Sequence, residues 1–495
     1  EHDHLFVQFA IRAYQGLDAV RVSVTLENNW AYVDNPQNLT YDLSVNVDGQ
    51  EVLAQTDLTH YHHSRWRRVF WWGEESVAHV KHEPEYLAKS RAIPSYDLSL
   101  EVPQDTLDAM LDSWNNNNQY DLMKIGQVSS YMPNTGSRGE IGPLPKFTAI
   151  YLINQNHAAK QIMDGTAEQA GSWSIHFRDH DTKLPVSLND YPRMTILGNY
   201  TDTYNPNAEP EGRYEAFPSC GGDCATPYSH DSAHQPSFAF VPYLLSGDYF
   251  YMEELMFWAN YNMLQANPGQ YYRNGADGLL RWDQTRGQAW SLRTLAQTAY
   301  ILPDSHALKA YFTDKLDNNR EFYQTQYAEK TQPDSENRFA NTLGWIGPYL
   351  LDGQYNLISP WMDDFFTWAV GYTVGLGYGE WMPVMQWKSK FATQRMVSED
   401  YCWIFAPTYR SKIRDDADSP YYTDFGDLYT ETLEWLNIDS LEISQFECGS
   451  QEMADYMTEN VLVSGNRHTW KKGEMVGYAS NADGFPSNLQ PALAI

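Results

Sequence analysis

The 495-residue chain has no run of about 18 apolar residues, the length a bilayer-crossing helix needs, so no membrane-spanning helix is expected. Its opening, Glu1-His2-Asp3-His4, lacks the basic and apolar regions of a secretory leader; any leader is expected to have been removed or never to have belonged to this segment. Cysteine is scarce. Four residues are too few for a disulfide framework, but Cys220-Gly-Gly-Asp-Cys224 sets two of them around a tight turn where a local disulfide is expected in an oxidising compartment. A lone CxxxC pair lacks the four soft ligands of structural zinc, so no metal is expected there. Cys402 and Cys448 lie among apolar residues and are expected as buried thiols. Positive charge is also short: 34 Lys and Arg against 64 Asp and Glu leave a formal charge of −30, which argues against nucleic acid or an anionic membrane as partner. Such acidity fits a secreted or cell-surface protein of a salty or acidic medium.

What the chain has in excess is aromatic. With 42% hydrophobic residues and 15% aromatic it is too rich for disorder and long enough for several cores. Seventeen Trp and 35 Tyr exceed the ordinary demands of packing. Aromatic faces stack on sugar rings and Tyr hydroxyls bond to sugar hydroxyls, so carbohydrate is the partner these residues suggest, against the plainer reading of a large, tightly packed core.

The hydrophobic period divides the chain. Val7, Phe9, Ile11, then Val20, Val22, Val24, Leu26, then Leu43, Val45, Val47 alternate with polar neighbours, and Asp48-Gly49 marks a hairpin turn. Residues 1–110 are therefore expected as an antiparallel β-domain, sandwich or barrel-like. His60 to Trp72 breaks the acidic trend with three His, three Arg and three Trp; it reads as an inter-domain strip, with contact to an anionic glycan as the alternative. Residues 111–215, rich in Asn, Pro and Gly, are expected as a linker layer of short strands such as Phe147 to Leu152. Two His and two Asp between Ser174 and Asp181 are no more than a weak metal signal in an extended segment. After Pro236 the period becomes helical, as in Met252, Leu255, Met256, Ala259 and Met263. Helix starts are legible at Ser359-Pro360, Ser398-Glu399 and Ser450-Gln451. About nine to eleven helices with short connections over residues 216–495 suit an (α/α) toroid of helical hairpins. Ser487-Asn488-Leu489-Gln490-Pro491 repeats the spacing of Ser232 to Pro236, so either a short last helix or a further domain is expected there.

Two constellations carry chemistry. Thr226 to Pro236 packs Tyr228, His230, Asp231 and His234 into one loop, and Ser232 with Gln235 reads as a capping box that sets His234 at a helix N-terminus. The helix dipole disfavours imidazolium there, which makes His234 a neutral base; the plainer reading is that both histidines cap the helix. On the helix near residues 286–300, Arg286, Trp290, Arg293 and Gln297 share one face, two guanidiniums flanking an indole. Arg pairs with carboxylates and Trp stacks on a pyranose, as an acidic sugar requires; a solvated, salt-bridged face is the alternative. Trp368, Arg395 and Tyr401 add groups of the same kind.

A β-rich front followed by a helical toroid carrying these residues resembles toroid polysaccharide lyases, most loosely the exo-acting rhamnogalacturonan lyase-like proteins. The likeness lies in architecture and residue types over most of the chain. It implies that His234 or His230 abstracts the proton at C5 of a uronate, that Tyr228 or Tyr401 protonates the leaving oxygen, and that Arg286 and Arg293 hold the carboxylate. No cofactor is implied. A toroid glycoside hydrolase using a carboxylate pair among Asp231, Asp363, Asp364, Glu380 and Asp400 is a second reading. A non-catalytic glycan-binding surface protein is the third.

Overall fold

The computed structural model describes residues 2–76, 78–134, 138–196, 203–265, 275–281, 284–335, 337–347, 356–463, 465–479 and 484–495. The protein is α+β, with small antiparallel sheets first and a mostly helical remainder. It divides into two compact units, residues 1–282 with 294–315, and residues 283–293 with 316–495.

Five strands open the first unit: β1 (Phe6–Ala13), β2 (Val20–Asn28), β3 (Leu39–Val47), β4 (Gln50–His60) and β5 (Ser64–Trp72). They pair as β1-β2-β5 and β3-β4, all antiparallel. The β3–β4 turn carries positive φ at both Asp48 (50°) and Gly49 (75°), the primed hairpin geometry that an Asp-Gly pair favours. Val24, Leu58, Trp66 and Met123 form a shared core between the two sheets, and the Trp66 indole donates to the Tyr41 hydroxyl at 2.9 Å. The apolar residues of β1 lie beyond that core. Phe9 is 66% exposed and Ile11 68%, so the expected half-buried strand is an edge whose apolar alternates face solvent.

Two further expectations change. The strands end at Trp72, and helices Pro84–Lys89 and Gln104–Asn116 follow. Phe147 to Leu152 lies inside a helix, Lys146–Asn154, most of whose residues are buried. A short apolar run with no polar face gives no periodicity to separate strand from helix.

The other face of β2 and β5 is polar and buried. Ser23, Thr25, Glu27, Arg65 and Arg67 project from it toward the helix Tyr249–Gln265. The Arg65 guanidinium donates to Glu27 at 3.1 Å, Glu253 at 2.7 Å and Glu254 at 2.6 Å. Arg178 donates to Glu27 at 2.8 Å and Glu253 at 2.9 Å. His176 places Nε2 3.0 Å from the Glu254 carboxylate and Nδ1 2.9 Å from the Trp173 carbonyl. Both partners are acceptors, so two guanidiniums and this imidazole lie among the three carboxylates. Beside them Arg67 donates to Asp248 at 2.6 Å. The basic strip of the sequence is thus the polar layer that seats the sheet on a helix.

In the second unit, helices Pro360–Gly375 and Met382–Val397 are joined by buried ion pairs, Asp363 with Lys388 and Asp364 with Arg395. Ser450 caps the helix Gln451–Asn460 as expected, its hydroxyl accepting from Met453 N–H at 3.1 Å. Ser398-Glu399 opens a turn rather than a long helix. Residues Pro486–Ala494 form a short helix. Cys402 and Cys448, expected as thiols, are bonded to each other beside a core that includes Trp345, Phe405, Leu428 and Trp470. Cys220 and Cys224 form the expected local disulfide. No helix among the described residues is long and apolar enough to cross a membrane.

Arg65→Ala leaves three buried carboxylates short of a cation and should cost on the order of 3–5 kcal/mol. Thermal unfolding followed by circular dichroism should show a fall of several degrees; an unchanged midpoint would mean that Arg178 and His176 suffice. Replacing Cys402 and Cys448 by Ala opens a loop of sequence separation 46 and should cost about 2–4 kcal/mol, read as a lower denaturant midpoint.

Candidate functional site

The loop Thr226 to Pro236 is clamped by backbone bonds, Met132 N–H to Ser229 carbonyl and Ser229 N–H to Ser130 carbonyl, both 2.9 Å. It does not open a long helix. Ser232–His234 is one 3₁₀ turn, Gln235 is extended, and the next helix begins at Phe240. Gln235 instead turns its amide to the Ser232 carbonyl at 3.0 Å and to Asn262 at 2.7 Å. The expected capping box is replaced by this buried amide pair, and His234 lacks the macrodipole of a long helix. It is buried, with Nδ1 bonded to the Asp231 carboxylate.

His230 stands apart from His234. Its Nδ1 lies 2.8 Å from the hydroxyl of Tyr261, a buried residue of helix Tyr249–Gln265. Both line a cavity of ≈ 420 Å³ with His63, Ser174, Phe177, Thr195, Phe217, Ser219 and Gln265. His63 comes from the turn between β4 and β5, where it takes φ 58°, and its backbone is pinned at both ends: its N–H donates to Asn28 at 2.7 Å and its carbonyl accepts from His176 at 2.9 Å. Phe177 and Phe217 stack at 4.6 Å to form an aromatic wall, against which the His63 ring packs edge-on. Burial holds the His230 imidazole down to about 4, and His63 well below its usual range with help from His62, His176 and His230. At neutral pH the cavity therefore presents two uncharged imidazoles and a phenol. No Asp or Glu is among its described lining residues.

Tyr228, expected as the acid partner of a histidine, donates its hydroxyl to the Met123 carbonyl at 2.7 Å and packs on Trp173. Burial raises it to about 12. Tyr261 occupies the position that the sequence suggested for Tyr228, and no pattern marked it, because it lies in a buried helix 31 residues from His230.

The sugar-binding residues expected in the helical region are buried. Helix Thr285–Ile301 is enclosed over residues 285–299, so it has no solvated face. Arg286 lies over the Trp361 ring at 5.2 Å, Arg293 over Trp290 at 5.0 Å, and Gln297 accepts from the Ser237 hydroxyl at 2.8 Å. Burial lowers Arg293 to about 9, which leaves it charged at neutral pH. Trp368 stacks on Tyr372 at 4.9 Å. Arg395 is spent on Asp364 and backbone carbonyls, and Tyr401 packs on Tyr429 at 4.9 Å with its hydroxyl raised to about 12 by burial. Among the carboxylates weighed for hydrolysis, Asp363 and Asp364 are held in ion pairs and Asp231 is bonded to His234 Nδ1.

Among the described residues no three His, Cys, Asp or Glu are grouped to hold a metal ion. No family model, curated protein or solved structure matches the chain.

His60, His62 and His230 are each held to about 4 against the ordinary 6.5 by burial. The unfolded chain takes up protons at these positions first, so the stability they contribute is complete above pH 6.5 and drains away as pH falls toward 4. Each is worth up to about 3 kcal/mol. Melting temperature should therefore fall steeply between pH 6.5 and 4, and His62→Gln should flatten the curve; a melting temperature constant over that range would show these imidazoles to be charged when folded.

Proposed function

We propose that the protein is a secreted carbohydrate-active enzyme, a lyase that cleaves a uronate-containing polysaccharide by β-elimination, with its helices arranged as hairpins of an (α/α) toroid. The observation that carries this reading is the neutral His230 imidazole bonded to the Tyr261 phenol in a polar and aromatic cavity. A proton α to a carboxylate is removed by a neutral base held close to it, while an acid waits for the leaving oxygen. His230 takes the C5 proton through Nε2, the C4–C5 double bond forms as the C4–O bond breaks, and Tyr261 gives its proton to the departing oxygen. Imidazolium and phenolate then stand 2.8 Å apart; Nδ1 passes its proton to the phenolate, and exchange with solvent moves the remaining imidazole proton from Nε2 back to Nδ1, which restores both groups.

The enediolate that develops must be held by donors. The hydroxyls of Ser174, Thr195 and Ser219 and the amide of Gln265 supply them in this cavity. The absence of Asp and Glu from its described lining counts against a carboxylate-pair hydrolase at this place. Two disulfides fit an oxidising, extracellular compartment.

His230→Ala and Tyr261→Phe, each folded by circular dichroism, should lower turnover of a uronate polysaccharide by about 10²–10⁴-fold. The assay is the ultraviolet absorbance of the new C4–C5 double bond. Loss smaller than about tenfold in both variants would remove these residues as acid and base. New reducing ends without that absorbance would mean a hydrolase, and retention on the glycan without turnover a binding protein.

A further inference from the structure

The described lining of the cavity around His230 and Tyr261 holds no Asp, Glu, Lys or Arg, and burial keeps its two imidazoles neutral. The charged groups next to that lining in the chain are turned to other partners. Asp231 is bonded to His234 Nδ1, and Arg178 to Glu27 and Glu253. His176 meets Glu254 at 3.0 Å, and Glu215 accepts from the Asn205 amide at 2.7 Å and the Arg193 N–H at 2.6 Å. Two polar atoms of lining residues, Ser174 Oγ and His63 Nδ1, are enclosed without a hydrogen-bond partner among the described residues. Phe177, Phe217, Ile196 and Pro218 supply apolar surface beside them.

A free uronate carboxylate in such a place is buried with no cation beside it, which is costly, and loss of its C5 proton gives an enediolate of two negative charges. The ester of the same sugar enters uncharged. When His230 takes its C5 proton it becomes an enolate of single charge, which hydroxyl and amide donors can hold without a cation. The C4–O bond then breaks and Tyr261 protonates the leaving oxygen, as above. Approach favours the ester too, because a chain of net charge −30 repels a polyanion but not its neutral ester. We infer that the unit cleaved in this cavity is an esterified uronate, a methyl ester being the smallest, with its alkoxy group on the apolar surface and its carbonyl among the hydroxyls. That the unit is a uronate rests on the lyase reading above; that it carries no charge rests on the cavity.

Polygalacturonan, alginate and hyaluronan, each as free acid and as methyl ester, test this through the absorbance of the new double bond. At least one backbone should show a kcat/KM about tenfold or more higher as ester than as acid. Added salt should change the ester rate by less than about twofold. Free acid cleaved as fast as ester, or faster, on every backbone attacked would overturn the inference and leave the lyase standing. Cleavage of no form would remove the lyase, and titration calorimetry with acid and ester hexamers of the same backbones then decides the inference. An ester bound about tenfold tighter than its acid supports an uncharged occupant, while equal or weaker binding of every ester, or binding of none, overturns it. Ser219 lines the cavity and is exposed, so Ser219→Arg should fold and should narrow the ester-to-acid ratio about tenfold by offering the carboxylate a bidentate partner. An unchanged ratio would put the discrimination outside this cavity and overturn the assignment.

Discussion

Burying three carboxylates in one place is possible only when cations are buried with them, and that requirement organises the first unit. Glu27 comes from β2, Glu253 and Glu254 from one helix, Arg65 from β5, and Arg178 and His176 from a segment far from either. No two of these elements can shift without separating a charge from its partner in a medium where separation is costly. The cation–π contacts of Arg65 and Arg178 with Phe257, each 5.0 Å, fill the space between charges with aromatic carbon rather than water.

The candidate site inherits its rigidity from that layer. Tyr261 lies two helical turns beyond Glu254 on the same helix, and the backbone of His176 holds the turn that carries His63. The ionic network and the pair of neutral imidazoles thus lie near one another with opposite electrostatics. His176 is surrounded by acceptors, while His63 and His230 are enclosed by phenyl rings and neutral dipoles. Environment alone separates the roles of these histidines.

Local signals were legible where they depend on a few adjacent residues: the Asp-Gly hairpin, the Ser450 cap, the Ser359-Pro360 start and the Cys220–Cys224 loop all follow from nearest-neighbour chemistry. Alternation misled about which face of the β1-β2-β5 sheet is covered. The polar alternates of β2 read as solvent-facing and are buried, while the apolar alternates of β1 read as core and are exposed. Whether an apolar or polar stripe meets a partner is decided by elements hundreds of residues away. Separations of 31 and 46 residues are enough to hide Tyr261 from His230 and Cys448 from Cys402. The stripe of Arg286, Trp290 and Arg293 follows helical spacing, but spacing says nothing of what packs on it, and here aromatic rings do.

The backbone of His63 lies in the left-handed region, where a side chain costs on the order of 1 kcal/mol and glycine costs nothing. Glycine there would relax the turn but would leave empty the place where the imidazole packs on His62, Phe177 and Phe217. Backbone strain and side-chain packing are therefore opposed at this position, and a stabilised variant should keep residue 63 fixed while seeking its gains at the exposed edge of β1.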